Sequence, residues 1–472
     1  MMSSIGSSDI DYLMQNYRML EERPIRRLED QRSSIDKRLS LFNTLKTNLR
    51  SLQSLAKELS YNNATSIFSK RLATVSDDSF LTVTATSSAS ITSHSIEVNQ
   101  LAKADKIVSS RFNISGNDLA SSLGAGTYTF DVAVNGESQQ VSVDVAAGDD
   151  NETILKNIVS GINNSADIGI TASVIHDSED TMRLVFTSGE TGLDFQMGLS
   201  DSSGSLLNTI GMDDSVIMNG TSGGRVYDPG ELNAVLFIDN VRIERNSNTV
   251  EDALEGVTLN LQNAHQAGDP PLTLNVENDT ESIKTKLQEF IDSYNKVMDF
   301  IKTNTQVNSA THERSALSGD FAVSRLKMQV RGLLSQPVSG LAAGAPTILS
   351  SIGITADRGG KLSISDDDKL KEMLNTNLDQ VADLFSSEDG VANRLVDILD
   401  SYTSGDGVIS RRRDILQGQV TSLNNRIDRT QEMVDRRIEY YRQQFSQLQA
   451  ASSMFSFQSS MISSMQQSAF FY

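Results

Sequence analysis

Residues 416–455 read LQGQVTSLNNRIDRTQEMVDRRIEYYRQQFSQLQAASSMF, and a seam runs along this stretch in steps of three and four residues. The seam positions are Leu416, Val420, Leu423, Ile427, Thr430, Val434, Ile438, Tyr441, Phe445, Leu448, Ser452 and Phe455. Such steps are typical of a coiled coil, and the additional step of four at Val434–Ile438 is a stutter. The pattern predicts one long helix with a narrow contact face. The alternative is an ordinary amphipathic helix that lies on a core.

A second seam lies near the other end of the chain. Pro24 is well placed as the first residue of a helix, and apolar positions recur after it at similar steps. These positions are Leu28, Ile35, Leu39, Phe42, Leu45, Leu49, Leu52, Ala56 and Leu59. Because two narrow-seamed helices stand at opposite ends of the chain, we predict that they pair with each other.

The last thirty residues, 443–472, contain no Asp, Glu, Lys or Arg, although charged residues make up 22% of the chain. Past Phe455 a new apolar face begins, formed by Met454, Phe457, Met461, Met465, Ala469 and Tyr472, with Ile462 beside it. A helix that lies on a membrane surface would carry Lys or Arg on its polar face. Methionine-rich faces are common at adaptable protein interfaces, so this tail is predicted to act in assembly. A frayed terminus is the alternative.

Composition excludes several functional classes. The formal net charge is −20, which argues against nucleic acid as a partner. The chain contains no Cys, so it has no disulfides and no thiolate metal site. The first residues lack the basic and apolar regions of a signal peptide, and no apolar run approaches the ~20 residues of a membrane span. We expect no cofactor and no membrane contact.

The acidic middle of the chain is predicted to be mostly strand. Residues 127–145 alternate on both sides of Asn135-Gly136, a strong hairpin signal. A second hairpin is predicted at Asp239-Asn240 within 234–245. Residues 198–228 are rich in Ser, Gly and Asn and are predicted to be loops. The other predicted elements are a helix at 151–163, a helix from 280, strands at 168–175 and 182–188, and strands of one common sheet at 79–85, 95–102, 257–262 and 272–279.

These patterns predict an α+β multidomain fold. Paired long terminal helices, coiled-coil-like, and a helical domain enclose two nested β-rich domains. The predicted boundaries are 1–40 and 412–472 for the terminal helices, 41–70 and 280–411 for the helical domain, 71–108 and 229–279 for the inner β domain, and 109–228 for the outer β domain. The terminal helices are expected to be partly disordered in the free chain.

The stretch FIDNVRIERNSNTVEDALEGVTLNL, residues 237–261, resembles a signature of the bacterial flagellar filament capping protein family, also called hook-associated protein 2. The signature positions include Asn248, Gly256, Val257 and Thr258. Further similar stretches follow in the family's order, and they include 22–59, 96–110, 290–302, 317–320, 352–364 and 381–419. The Ile162-Asn163 pair resembles an element of several flagellar axial proteins and is less specific.

The resemblance implies a structural and assembly function. Members of this family form a ring of identical subunits, expected here to be pentamer-like, at the distal tip of the flagellar filament. The ring promotes flagellin polymerisation and prevents leakage of flagellin. The implied partners are further copies of the chain, flagellin, the hook–filament junction protein and an export chaperone at the C-terminal tail. Secretion by the flagellar export apparatus, without a signal peptide, is also implied.

An enzyme is not expected. The four histidines are scattered without metal-ligand spacing, and they are His94, His176, His265 and His312. The closer alternatives are another flagellar axial protein, either flagellin or the hook–filament junction protein. An added adhesin role for the outer β domain also stays open.

Overall fold

The chain divides into a helical unit and a β-rich unit. The helical unit comprises residues 1–68 and 280–472, and the β-rich unit comprises residues 69–279. The structure, a computed structural model, describes residues 7–165, 168–213, 223–308 and 313–469. The terminal helices thus share a unit with the helical domain, and both β-rich regions share the other. The finer division into four domains stays a prediction.

Helices account for nearly all of the regular structure in the helical unit. In chain order, the helices of the described residues are α1 (Ser7–Glu21), α2 (Arg23–Ser60), α3 (Asp118–Leu123), α4 (Asn151–Asn163), α5 (Leu206–Ile210), α6 (Thr280–Thr305), α7 (Phe321–Leu334), α8 (Asp367–Thr376), α9 (Leu378–Ser386), α10 (Val391–Thr403) and α11 (Val408–Ala469). Of these, α3, α4 and α5 belong to the β-rich unit. Short 3₁₀ turns occupy Ile67–Ser69, Leu193–Phe195, Pro229–Glu231 and Leu349–Ile352. Pro24 is the second residue of α2, one position later than predicted, because the helix already begins at Arg23.

Strands form the framework of the β-rich unit. In chain order they are β1 (Arg71–Val75), β2 (Leu81–Ala85), β3 (Thr92–Gln100), β4 (Ala104–Val108), β5 (Phe112–Asn113), β6 (Gly126–Val134), β7 (Glu137–Val145), β8 (Ile170–His176), β9 (Thr181–Thr191), β10 (Gly198–Ser203), β11 (Gly224–Arg225), β12 (Ala234–Ile238), β13 (Val241–Arg245), β14 (Thr249–Leu254), β15 (Val257–Leu261) and β16 (Leu272–Asn278). A short pair, β17 (Ile354–Ala356) and β18 (Leu362–Ile364), belongs to the helical unit.

The core of the helical unit forms around α2, which packs against α6, α10 and α11. Phe42 and Leu49 of α2 are fully buried and share one apolar cluster with Phe290 and Tyr294 of α6. The Tyr294 hydroxyl donates a hydrogen bond to the Gly360 carbonyl at 2.8 Å. Burial raises the pKa of Tyr294 to about 12, because the ionised phenolate would lose its hydration inside this core. The middle of α2 is therefore part of a folded domain core.

The inner part of the β-rich unit contains two sheets around one apolar cluster. The described strands of the first sheet have the order β1-β16-β3-β12-β13, and those of the second have the order β14-β15-β2. The prediction of one common sheet is wrong, because 81–85 pairs with 257–261 while 92–100 pairs with 272–278. Each of these four segments was predicted as a strand, but its partner lies far away in sequence.

The outer part of the β-rich unit contains both predicted local motifs. Asn135 and Gly136 have φ values of 49° and 80°, and they join β6 to β7 in the predicted hairpin. Helix α4 spans the predicted residues 151–163, and its apolar side chains are buried against the sheet. The prediction of loops throughout 198–228 is wrong, because β10, α5 and β11 lie in the described part of this stretch.

Candidate assembly surface

Helices α1 and α2 run antiparallel to α11. At one end of the pair, Lys46 Nζ donates a hydrogen bond to Ser410 Oγ at 2.7 Å. At the other end, Arg437 Nη1 lies 2.7 Å from Glu21 Oε2. Residue numbers thus fall on one helix as they rise on the other, which confirms that the two predicted terminal seams pair.

Most predicted seam residues between positions 28–49 of α2 and 416–427 of α11 are buried within the chain's own fold. The buried ones are Leu28, Phe42, Leu49, Leu416, Val420 and Leu423. The half-buried ones are Ile35, Leu39 and Ile427. Phe42 and Leu49 therefore stabilise the folded subunit and offer no surface to another copy.

The buried carboxylate of Asp320 binds the first turns of α11. Asp320 is the N-cap of α7, and its Oδ1 accepts hydrogen bonds from the backbone N–H groups of Ala322 and Val323 at 3.1 and 3.4 Å. Its Oδ2 accepts two hydrogen bonds from Arg412 of α11, at 3.1 and 2.9 Å, and lies 3.6 Å from Arg38 of α2. One side chain therefore connects three helices. The Asp before an apolar helix signals a cap, but sequence reasoning missed both arginine contacts.

Lys46 sits in a cationic region of the same junction. Its burial lowers the pKa of the ammonium group, and the nearby Arg50 and Arg413 lower it further, while Asp414 opposes them. The Ser410 hydroxyl also contacts this ammonium group. The base of the pair is thus held by packing together with several charged contacts.

Where α1 meets residues 435–445 of α11, aromatic rings and exposed ion pairs hold the helices together. Tyr17 of α1 lies 5.3 Å from the Tyr441 ring and 6.4 Å from the Phe445 ring, measured between centroids. Arg18 Nη2 lies 3.1 Å from Asp435 Oδ1. The predicted site residues Tyr441 and Phe445 therefore contact the chain's own N-terminal helix.

Beyond Phe445, α11 carries an exposed apolar surface, which we call the tail face. Its members are each more than half exposed, and they are Leu448, Met454, Phe455, Phe457, Met461, Ile462 and Met465. Several serine hydroxyls of this segment donate hydrogen bonds within the same helix. Ser456, Ser460 and Ser464 donate to carbonyls three residues earlier at 2.8–2.9 Å. The tail face thus exposes apolar area without any charge that would have to be desolvated on contact.

The signature residue Asn248 of the inner β region stabilises the fold through hydrogen bonds to the backbone. Asn248 binds the backbone of Ala102, accepting from its N–H at 2.7 Å and donating to its C=O at 3.0 Å. Two other motif asparagines make the same contact with one backbone residue each, as Asn163 with Ala172 and Asn295 with Leu362. Asn163 and Asn295 thereby join helices α4 and α6 to strands β8 and β18, and Asn248 holds the backbone at Ala102.

Gly256 occupies a turn that no other residue fits well. Its φ is +72°, and a Cβ there would lie 2.4 Å from Ser88 Oγ. Val257 is buried in the inner cluster, and Thr258 lies on the same strand, β15. The signature therefore specifies a tight turn and a core strand rather than a binding surface.

The histidines do not converge in the parts of the chain that the structure describes. His94 lies 2.7 Å from Asp239, His265 stacks on Phe80 with centroids 4.1 Å apart, and His176 ends β8. His312 lies outside the described residues. Among the described residues, no cluster of three metal-ligating side chains occurs, and no helix is long and apolar enough to cross a membrane.

Paired terminal helices, enclosed β-rich segments and an exposed apolar tail face define a structural protein built for assembly. Two sequence models, for the N-terminus and the C-terminus of flagellar hook-associated protein 2, match residues 7–105 and 232–456. The chain belongs to the flagellar hook-associated protein 2 family, as the resemblance predicted. Most of the outer β region lies between the two matches.

Individual relatives agree with this assignment. The A-type flagellar hook-associated protein 2 of Pseudomonas aeruginosa is 29% identical over 389 residues, covering 80% of this chain and 77% of the relative. The protein of Escherichia coli K12 is 27% identical over 457 residues, covering 94% and 93%. The crystal structure of the D1-D2-D3 domains of the flagellar cap protein FliD from E. coli superposes with a TM-score of 0.61 at 28% identity, covering 80% of this chain and 99% of that one. The protein is a flagellar filament cap protein, a structural component of the bacterial flagellum.

Proposed function

We propose that copies of this chain form a pentamer-like ring at the distal tip of the filament, where the ring promotes flagellin polymerisation and prevents flagellin from leaking away. The observation that carries this proposal is the tail face. Seven large apolar side chains stand exposed on one uncharged helix segment, although the same helix is buried nearer its start. A surface of this kind is expected to be covered in the working state.

The proposed ring acts by shape and exclusion, without making or breaking a bond. The inner β domain (71–108 and 229–279) and the outer β domain (109–228) form its plate. The helical domain (41–70 and 280–411) forms the legs of the ring together with the terminal helices. The terminal helices (1–40 and 412–472) are legs that meet the end of the filament and, at the first stage of growth, the hook–filament junction protein.

The tail also suits the proposed route out of the cell. A segment without charges can be threaded as an unfolded chain and then order against an apolar surface, with interface burial offsetting the lost chain entropy. We propose export by the flagellar export apparatus without a signal peptide, with a dedicated chaperone covering the tail before export. The mature protein would then be extracellular.

The test replaces Phe455, Ile462 and Met465 with Ser in cells that lack the native chain. We expect loss of filaments and unpolymerised flagellin in the medium, because the apolar contacts of the tail face disappear. The matched control is Ser456, Ser460 and Ser463→Ala, which changes the opposite side of the same helix.

Electron microscopy of the cells and immunoblots of the medium measure both effects. Deletion of residues 443–472 should reproduce the Ser variant with an unchanged melting temperature of the β-rich unit. Full motility of either variant would refute the proposed role of the tail.

A further inference from the structure

Helix α7 also exposes two large apolar side chains in the helical unit. Phe321 is 74% exposed and Met328 is 65% exposed. The two residues are seven apart, so they stand on one side of the helix, with Arg325 between them. The other side of α7 is packed into the core through Val323, Leu326 and Val330.

A groove continues this surface between α7 and α10. It has a volume of about 410 Å³, and Met328, Gly332, Leu333 and Ile398 are among its lining residues. A Cβ added at Gly332 would meet nothing within 4 Å. The absent side chain at Gly332 therefore leaves room for another helix to approach the backbone of α7 closely.

A cationic side chain accompanies this surface. Arg325 stands between Phe321 and Met328 on α7, which contains no Asp or Glu. The groove itself is lined by the oppositely charged Arg394 and Asp397. By contrast, the last turn of α11 contains no basic residue. The C-terminal end of a helix carries a partial negative charge from its dipole, so it is attracted to a cationic helix such as α7.

We propose that the α7–α10 groove of one copy binds the tail of α11 from a second copy. The inference rests on the proposed ring and names its contact. Met454, Phe457, Met461 and Met465 follow the i, i+3, i+7, i+11 spacing by which a helix anchors in a groove. The uncharged tail loses no ionic hydration of its own on docking, and the negative end of its helix dipole is attracted to Arg325 beside the groove.

The contact is between unlike surfaces, the tail of one copy and the groove of the next. Such a head-to-tail contact leaves one free tail and one free groove at the ends of any open assembly. Rotation between neighbours closes it into a ring. A tail-to-tail contact between like surfaces would instead yield a dimer with two-fold symmetry.

Because the chain contains no Cys, disulfide cross-linking of two single-cysteine chains tests the contact directly. Full-length chains carrying Met328→Cys and Met461→Cys are mixed, oxidised and digested, and the joined peptides are identified by mass spectrometry. The control replaces the second chain with Met433→Cys, an exposed position on the same helix that lies outside the tail. A disulfide requires Cα atoms within about 7 Å. We therefore expect the yield of the 328–461 peptide to exceed that of the 328–433 peptide by about tenfold.

A groove-filling variant gives an independent readout. Gly332→Gln occupies the open space on α7, improves helix propensity and should keep the fold. We expect it to weaken self-association about tenfold in sedimentation, which corresponds to ~1.4 kcal/mol. The control is Gly418→Gln, at another helical glycine with open space around it.

The outcomes separate this inference from the proposed ring. If the wild-type chain self-associates but the mixed cysteine variants give no 328–461 product, and the Gly332→Gln variant associates normally, the groove contact is overturned and the ring is left standing. Dominant 461–461 products in Met461→Cys alone would indicate tail-to-tail packing and also overturn it. A chain that stays monomeric at every concentration contradicts both the contact and the ring.

Discussion

The two halves of α11 have similar apolar spacing and opposite surroundings. In the first half, Leu416, Val420 and Leu423 are buried against the chain's own helices. In the second half, the tail face from Leu448 to Met465 is exposed. The first half also carries many charged groups, whereas the segment after Arg442 has none until the end of the helix.

This difference shows what apolar spacing can and cannot specify. A heptad seam predicts that a helix has a partner, but it does not say whether the partner belongs to the same chain. Charge gives the missing information here. The buried half has a folded partner and keeps charges on its solvent side, while the tail face is free of charges all round and can be covered by a partner that arrives later.

The largest effect should separate the two halves by stability. Leu49→Ala removes a fully buried side chain of the seam, and the cavity should lower the free energy of unfolding of the helical unit by about 3 kcal/mol. Met461→Ala on the tail face should change it by less than about 0.5 kcal/mol. Denaturant unfolding followed by circular dichroism measures both. A comparable loss for Met461→Ala would show that the tail belongs to the subunit core.

The next effect concerns the base of the buried half. Asp320→Ala leaves Arg412 and Arg38 without their shared carboxylate and removes the cap of α7, so we expect a loss of about 3 kcal/mol. Asp428→Ala, at an exposed carboxylate on α11, is the control and should be nearly silent. Thermal unfolding at matched pH compares the two variants. An equal, small effect would mean that α11 is held by its apolar seam alone.

The smallest effect lies where the two halves meet. Arg437→Ala removes the exposed contact with Glu21 and should cost less than about 1 kcal/mol. High salt should remove the difference in unfolding free energy between the variant and the native chain, because salt screens exposed charges. Arg436→Ala, whose partner Glu432 lies on the same helix, is the control. A larger, salt-independent effect would place the boundary of the stable pair beyond residue 437.

Local sequence signals predicted local structure well. The Asn135-Gly136 and Asp239-Asn240 turns were predictable because their positive φ angles restrict the residues that fit. Helix α4 was predictable from its apolar period. By contrast, β11 was missed because a buried ion pair between Arg225 and Asp105, far apart in sequence, helps to hold it.

The candidate site divides in the same way. The seam positions and the tail face could be predicted, because helical periodicity places them on one side of a helix. The arginine contacts of Asp320 could not be predicted, since they connect residues 38, 320 and 412 through the tertiary fold. The groove beside α7 was also missed, because its walls come from two helices that are separated in sequence.

Hydrogen exchange along α11, in the free chain and in the assembled oligomer, tests most directly whether the partner of the tail lies outside the subunit. We expect slow exchange of the amides at 416–438 in both states, because that segment is packed within the chain. The amides at 450–465 should exchange fast in the free chain and become protected on assembly. Protection of 450–465 equal to that of 416–438 in the free chain would contradict the account.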